Sequence, residues 1–213
     1  MGRMQFAFLW ALARVGVVIT DAIAYRIARR FPKFETRASH VLSDGDCLCL
    51  LCNSVTETLF TIFVVTLDLP ALTRWFPLNC IALFVADDLL YAPFHYTLHH
   101  PMVYKFVHAR HHRVRHPSEG YSHASMEHPL EMLGALLLHG MSIWMLWPLL
   151  DLAGVCLHLW LKALGACLNH YDHDVVTPVY RAIHHRRHHS KLKVNFAQSV
   201  FLFDRCIGTF DSR

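Results

Sequence analysis

The amino-acid sequence predicts an all-α integral membrane protein, built as a bundle of about four to five apolar helices with a histidine-rich cap on its cytosolic face. Two features of the composition support this fold class. Hydrophobic residues occupy 54% of the 213 positions and charged residues only 17%, a balance too apolar for an ordinary soluble domain. The chain also contains 18 histidines, and most of them occur in short clusters.

Five apolar segments account for the predicted helices. A helix needs about 20 residues to cross the hydrocarbon core of a bilayer, and the first three segments are long enough. The last two are shorter and are separated only by Pro148 and its neighbours. They predict a tight hairpin that either crosses the membrane or dips into it and returns. The segments lie at about 5–28, 47–69, 78–99, 131–147 and 150–169.

The distribution of basic residues predicts the orientation of the bundle. If all five segments cross, the stretches 29–46, 100–130 and 170–213 share one face, and most lysines and arginines lie there. The opposite face receives only Arg3 and Arg74. By the positive-inside rule the basic face is cytosolic. All the histidine clusters fall on that same face.

The N-terminal segment has two interpretations. An apolar run ending in Ala22-Ile23-Ala24 resembles a signal peptide with its cleavage site, so removal of residues 1–24 stays open. Arg14 interrupts the run and basic residues follow it at once, which favours a retained membrane anchor. The seven cysteines are an odd number and lie mostly in apolar runs, so no disulfide framework is predicted.

The histidine clusters predict a metal site. Histidines at i, i+3 and i+4 share one face of a helix, and H-x-x-H-H occurs twice after an upstream H-x-x-x-H-H. A structural zinc site is satisfied by four ligands, whereas these candidates suit two ions with about five ligands each. Imidazole ligands at a membrane face indicate redox iron and O2 chemistry. The candidate ligands are His95, His99, His100, His108, His111, His112, His170, His173, His185, His188 and His189.

Five of the remaining histidines are interpreted as structural or ordinary residues. His139 and His158 lie within apolar segments, and a lone histidine there is more often a packed residue than a ligand. His40, His116 and His123 are interpreted as ordinary residues.

Several motifs resemble the fatty acid hydroxylase/sterol desaturase superfamily over about 85–213. Ala197 stands where that superfamily usually has glycine, and His184-His185 alters the start of the last box. The first two boxes are spaced most like those of sterol C-4 methyl oxidases. The matching stretches are Asp88 to Pro101, His108-Ala109-Arg110-His111-His112, His128-Pro129-Leu130-Glu131, Asn169-His170, His185 to His189, Asn195-Phe196 and Asp204 to Thr209.

The resemblance implies N-terminal membrane-anchor helices over 1–84 and a catalytic domain over 85–213 that includes a 131–169 hairpin. It implies a membrane-bound non-haem di-iron oxygenase that uses O2 to hydroxylate or desaturate a C–H bond of a sterol or fatty acyl lipid. Two iron ions would be the cofactor, with zinc possible in purified or crystallised protein. The membrane would be the endoplasmic reticulum in a eukaryote or the inner membrane in a bacterium.

The resemblance also implies partners and further site residues. Electrons would come from an external NAD(P)H-dependent reductase or a cytochrome b5-type carrier, which the basic face could dock; no nucleic-acid partner is expected. Asp88, Tyr91 and Asn195 are the catalytic candidates. Asp88 shares a helix face with His95, so it either orients that imidazole or pairs with a neighbour in helix packing.

Three other functions remain open. A membrane metal-binding or transport protein would place ligands near mid-bilayer on several helices, whereas these clusters lie at one edge. A non-catalytic member of the same fold would keep the bundle without the chemistry, which the intact histidine boxes disfavour. A haem-binding cytochrome would need facing mid-membrane histidines, for which His139 and His158 are the candidates.

Overall fold

The computed structural model describes residues 2–34 and 42–212, so the interpretation of His40 lies outside the described residues. The described parts contain isolated β-bridges but no β-strand, which confirms the all-α class. The α-helices are α1 (Arg3–Ala28), α2 (Asp44–Val65), α3 (Phe76–Leu98), α4 (Pro101–Tyr104), α5 (Tyr121–Ala124), α6 (Pro129–Leu146), α7 (Leu152–Asn169), α8 (Ala182–Lys191) and α9 (Leu202–Ile207), with 3-10 helices at His108–Arg113 and Trp147–Leu149.

Five of these helices are long and apolar enough to cross a bilayer: α1, α2, α3, α7 and the unit Pro129–Leu149 that α6 forms with the second 3-10 helix. Large apolar side chains on their outer surfaces are exposed, among them Phe8 and Val18 on α1 and Trp144 on α6. An apolar outer surface is what a helix bundle presents to lipid. The predicted membrane bundle is therefore confirmed.

The ends of the helices follow local capping chemistry. The α2 helix begins at Asp44, before the predicted position 47, because the Ser43 hydroxyl accepts the Asp46 N–H while the Asp46 carboxylate accepts the Ser43 N–H. In the hairpin turn, the Asp151 carboxylate caps α7 by accepting the Gly154 N–H at 2.7 Å. Asp151 also accepts the Thr73 N–H at 3.1 Å, which joins the hairpin turn to the loop before α3.

Contacts between loops show which stretches share a face. Lys33 Nζ lies 2.9 Å from the Asp172 carboxylate. The Asp46 carboxylate lies 2.6 Å from Arg110 and 3.3 Å from Arg113. The first turn of α2 and the stretches that follow α1, α3 and α7 therefore lie on one side of the bundle. The cytosolic assignment of that side stays a prediction.

The bundle is held together by close packing between helices, because lipid tails are as apolar as the side chains themselves. Ala24 and Ala28 on α1 are fully buried against Cys167 and Leu168 on α7. Such small residues let two helix backbones approach closely. The α7 helix also packs on α3, and α3 packs on α6, so helices from both predicted domains share one core. The predicted boundary at residue 84 stays a prediction.

One close approach can be tested by adding a single methyl group. A Cβ at Gly134 of α6 would lie 2.6 Å from Phe94 Cζ on α3, whereas a Cβ at Gly165 of α7 has no neighbouring atom within 4 Å. We expect Gly134→Ala to cost about 1–3 kcal/mol through overpacking and Gly165→Ala to be neutral or slightly stabilising. Thermal unfolding of the two detergent-solubilised variants checks this. Equal midpoints would contradict the assigned α3–α6 packing.

Candidate metal centre

Nine of the eleven predicted ligands converge in two adjacent groups. Within each group the ligand atoms lie within 4.8 Å of one another, and every member except the half-buried His99 is buried. Site A consists of His95, His99, His108, His112 and His188. Site B consists of His111, His170, His185 and His189.

The Nε2 atoms of site A all point toward one centre. His108 Nε2 lies 3.0 Å from His95 Nε2, 3.0 Å from His99 Nε2 and 2.9 Å from His112 Nε2. His188 Nε2 closes the ring, at 3.2 Å from both His99 Nε2 and His112 Nε2. Five ring nitrogens from three parts of the chain thus surround one point.

Site B has the same arrangement with four rings. His185 Nε2 lies 3.3 Å from His170 Nε2 and 3.1 Å from His189 Nε2. The ring centroid of His111 lies 4.7 Å from that of His189 and 5.2 Å from that of His170.

The two H-x-x-H-H boxes are each divided between the sites. The first box forms a 3-10 helix, His108–Arg113, in which His108 and His112 serve site A and His111 serves site B. This differs from the predicted single α-helical face. The last box lies on α8, where His185 and His189, one turn apart, serve site B and His188 serves site A. This division places the two sites side by side.

Hydrogen bonds on the far side of several rings determine which nitrogen carries the proton. A backbone carbonyl only accepts hydrogen bonds, so a ring whose Nδ1 bonds to a carbonyl carries its proton there and presents a lone pair at Nε2. Four rings are held in this way. The pairs are His95 with Phe196 O at 2.6 Å, His188 with Val194 O at 2.8 Å, His170 with Ala166 O at 2.7 Å and His189 with Val114 O at 3.0 Å.

Neutral rings held in this tautomer have the lone pairs that a metal ion needs. Burial lowers the pKa of His99 to about 3 and that of His170 to about 4. Burial and then the surrounding imidazoles also lower the pKa of His188 and His189. Protons therefore do not occupy the centres near neutral pH, and converging lone pairs repel one another unless a cation lies between them. Neutral imidazole is the form that ligates transition metals, so the donor set fits two such ions.

Glu131 is a site residue that the sequence analysis did not assign. Its carboxylate accepts a hydrogen bond from His108 Nδ1 at 2.6 Å, and both side chains are buried. A carboxylate behind a ligating histidine fixes the orientation of the ring and raises its basicity. Burial raises the pKa of Glu127, whose side chain hydrogen-bonds Glu131. The motif His128-Pro129-Leu130-Glu131 was the available signal, because it starts α6 beside the boxes.

Two predicted ligands lie outside both sites. His100 is exposed and caps α4, with its ring nitrogen accepting the Met102 N–H at 3.4 Å. His173 Nδ1 lies 3.0 Å from the Asp172 carboxylate.

The predicted catalytic residues lie behind site A. Tyr91 is buried, and its ring centroid is 5.4 Å from that of His95. The buried Asp88 carboxylate accepts the Val200 N–H at 3.3 Å. It therefore holds the C-terminal segment whose Phe196 carbonyl orients His95. Asp88 does not orient that ring itself, because His95 Nδ1 bonds to Phe196 O and His95 Nε2 faces the other site A rings.

The nitrogen and the oxygen of the Asn195 side-chain amide both hydrogen-bond to the backbone. Its Nδ2 donates to His184 O at 3.0 Å and to Asp211 O at 3.1 Å, and its Oδ1 accepts the Asp211 N–H at 2.8 Å. Its backbone φ of 56° lies in the left-handed region, which asparagine tolerates better than most residues. These contacts position the segment that contains Val194 and Phe196. A catalytic role for Asp88, Tyr91 and Asn195 stays a prediction.

Comparison with known proteins identifies a family. The family model described as fatty acid hydroxylase matches residues 80–209, more than half of the chain. The match confirms the resemblance inferred from the histidine boxes. No solved structure has significant similarity to the chain.

The names of the similar curated proteins describe enzymes that act on sterols. A Delta(7)-sterol 5(6)-desaturase from Leptosphaeria maculans is 30% identical over 142 residues, covering 64% of this chain and 38% of its own length. Methylsterol monooxygenase 1 from Rattus norvegicus is 29% identical over 175 residues, covering 76% of this chain and 56% of its own length. The matched part of the chain thus spans between about a third and just over half of the length of these relatives.

Removing one ligand from each site tests the division into two centres. We expect His188→Ala and His111→Ala each to lower the metal content by about one ion per chain, because they belong to different sites. Elemental analysis of purified protein measures this. His100→Ala is the matched control and should keep both ions; loss of an ion there would return His100 to the ligand set.

Replacing the carboxylate behind His108 tests its positioning role. We expect Glu131→Gln to weaken metal binding at site A by roughly 10–100-fold, because the amide orients the ring less strongly and no longer raises its basicity. Site B should keep its affinity. Metal titration in the His111→Ala background, which leaves site A alone, separates the two. Unchanged affinity would show that the Glu131 contact is only structural.

Proposed function

Because the chain belongs to the fatty acid hydroxylase family, we propose that it is a membrane oxidoreductase that hydroxylates or desaturates a C–H bond of a lipid with O2. The observation that carries the proposal is the convergence of nine imidazoles on two adjacent points. The names of the similar proteins favour a sterol substrate over a fatty acyl chain.

Two iron ions are the proposed cofactor, held by the imidazoles of sites A and B. When bound, the iron pair supplies the activation of O2 that oxidation of an unactivated C–H bond requires. Imidazole also suits zinc, so zinc is expected to replace iron in protein purified without iron. The protein contributes ligand orientation, through the carbonyls of Val194 and Phe196 and the carboxylate of Glu131.

The position of the centre suits a substrate dissolved in the bilayer. His95 lies in the last turn of α3 and His99 directly follows that helix, so site A lies where a membrane helix ends. His170 directly follows α7, which places site B at the same level. Burial of the ligands excludes bulk water from the lone pairs. We therefore propose that a lipid reaches both sites from the apolar side without leaving the membrane.

The electron donor is proposed to be an external reductase or a cytochrome b5-type carrier. Exposed cations lie on the same face as the centre, including Lys105, Arg115 and Lys193. An acidic carrier is attracted to such a surface. We propose that this face is cytosolic, in the endoplasmic reticulum or the bacterial inner membrane.

Two alternatives are less well supported. A metal transporter needs ligands near mid-bilayer. Of the three groups of clustered ligands among the described residues, only Asp87, His139 and His158 lie at mid-depth, whereas sites A and B lie at helix ends. A non-catalytic member of the fold has no use for two complete ligand sets with their orienting hydrogen bonds.

Lipid profiling tests the proposed activity. Cells that express the wild-type chain with a suitable reductase should accumulate one oxidised sterol or acyl species that is absent from cells lacking it. His188→Ala should abolish that species, because site A loses a ligand, while membrane insertion stays unchanged. A product that persists with both His188→Ala and His111→Ala would contradict the assignment of the chemistry to these sites.

A further inference from the structure

Four ionisable side chains meet inside the bundle, away from sites A and B. Asp87 Oδ1 lies 2.6 Å from His139 Nδ1, and Asp87 Oδ2 lies 3.0 Å from Lys162 Nζ and 3.9 Å from His158 Nε2. His139 is on α6, His158 and Lys162 are on α7, and Asp87 is on α3. We call Asp87, His139, His158 and Lys162 the mid-bundle cluster.

The mid-bundle cluster lies near the centre of the proposed membrane. Asp87, His139 and His158 are each ten or eleven residues from the histidine-bearing ends of their helices, a rise of about 15–16 Å at 1.5 Å per residue. The hydrocarbon core is about 30 Å thick. Ionisable groups at this depth are costly, and where they occur they commonly serve a function. His95 lies about 12 Å further along α3, so the cluster is separate from site A.

The Asp87–Lys162 ion pair leaves the ring nitrogens of His158 without a hydrogen bond. The His158 side chain is about 1% exposed, and neither ring nitrogen has a hydrogen-bond partner. Its ring packs edge-on against Phe84, with centroids 4.7 Å apart. A buried polar group without a partner costs free energy and calls for a missing partner. His158 Nε2 points toward the Asp87 carboxylate at a distance too long for a hydrogen bond.

We propose that Asp87, His139 and His158 bind a third divalent metal ion of the zinc and iron class. Their ligand atoms lie within 4.8 Å of one another, and each comes from a different helix. A shift of about 1 Å brings them to metal bonds of about 2 Å. Two imidazoles and one carboxylate suit borderline transition ions, whereas calcium and magnesium prefer oxygen ligands.

Lys162 controls the affinity of this third site. Its ammonium holds Asp87 Oδ2, so an incoming cation must displace it. Lys162 Nζ already lies 5.6 Å from the centroid of the Tyr91 ring, a distance at which the ring face attracts an ammonium. The ammonium therefore keeps one favourable contact when it releases the Asp87 carboxylate. A bound ion joins α3, α6 and α7, the three helices that carry His95, Glu131 and His170 at their ends.

Zinc counting on the full-length chain tests the proposal. Protein in detergent is incubated with Zn²⁺ alone, freed of unbound metal and measured for zinc per chain. We expect wild type to carry about one ion more than His158→Gln and than Asp87→Asn. Lys162→Met removes the competing ammonium, so it should bind the extra ion roughly tenfold more tightly.

Two controls keep the result specific. His128→Asn changes a histidine that caps α6 outside the three groups, and it should match wild type. His111→Ala should lose a different ion and remain sensitive to His158→Gln. Size-exclusion profiles show which variants fold, and His139→Gln replaces any that does not. Equal zinc in wild type and His158→Gln, or no tightening in Lys162→Met, would overturn the third site and leave the oxidation proposal untouched.

Discussion

The structure is organised around imidazole lone pairs that are held about 3 Å apart in a buried space, where they repel one another. Nothing in the rings themselves favours that arrangement, because neutral imidazoles that all present lone pairs cannot hydrogen-bond to one another. It persists because the opposite nitrogens are fixed to carbonyl and carboxylate acceptors on other segments. Cations bound at the two centres would turn this repulsion into attraction and would couple metal binding to the folded state.

The C-terminal segment holds the centre from behind. The backbone carbonyls of Val194 and Phe196 accept hydrogen bonds from His188 and His95. Side-chain hydrogen bonds from Asn195 and Asp204 hold this segment in place. Asn195 bonds to His184 and Asp211. Asp204 accepts the N–H groups of Phe196 and Ala197. A long loop is thus made rigid by buried side chains, which is what precise ligand placement requires.

The membrane bundle and the metal centre share the same helices. Because α3 and α7 end on the same side of the bundle, their terminal histidines enter the two adjacent sites, and the short 3-10 helix and α8 complete the two groups. The same helices carry polar groups at mid-depth, where Asp87, His139 and His158 lie. Helix packing that places the ends of α3, α6 and α7 together also places their centres together, so the two polar regions are geometrically linked.

The sequence alone determined the class of protein and predicted most of the histidines that converge. Hydropathy and histidine spacing are local properties, so they predicted five apolar helices and nine residues that converge, together with the family. Tertiary structure decided how each histidine box is divided between the two sites. His111 lies in site B although its neighbour His112 lies in site A, and His188 lies in site A although its neighbour His189 lies in site B. Tertiary structure also separated His100 and His173 from the sites and gave Glu131 and His139 their partners. Spacing along a chain defines which residues share a helix face, but only packing determines what that face meets.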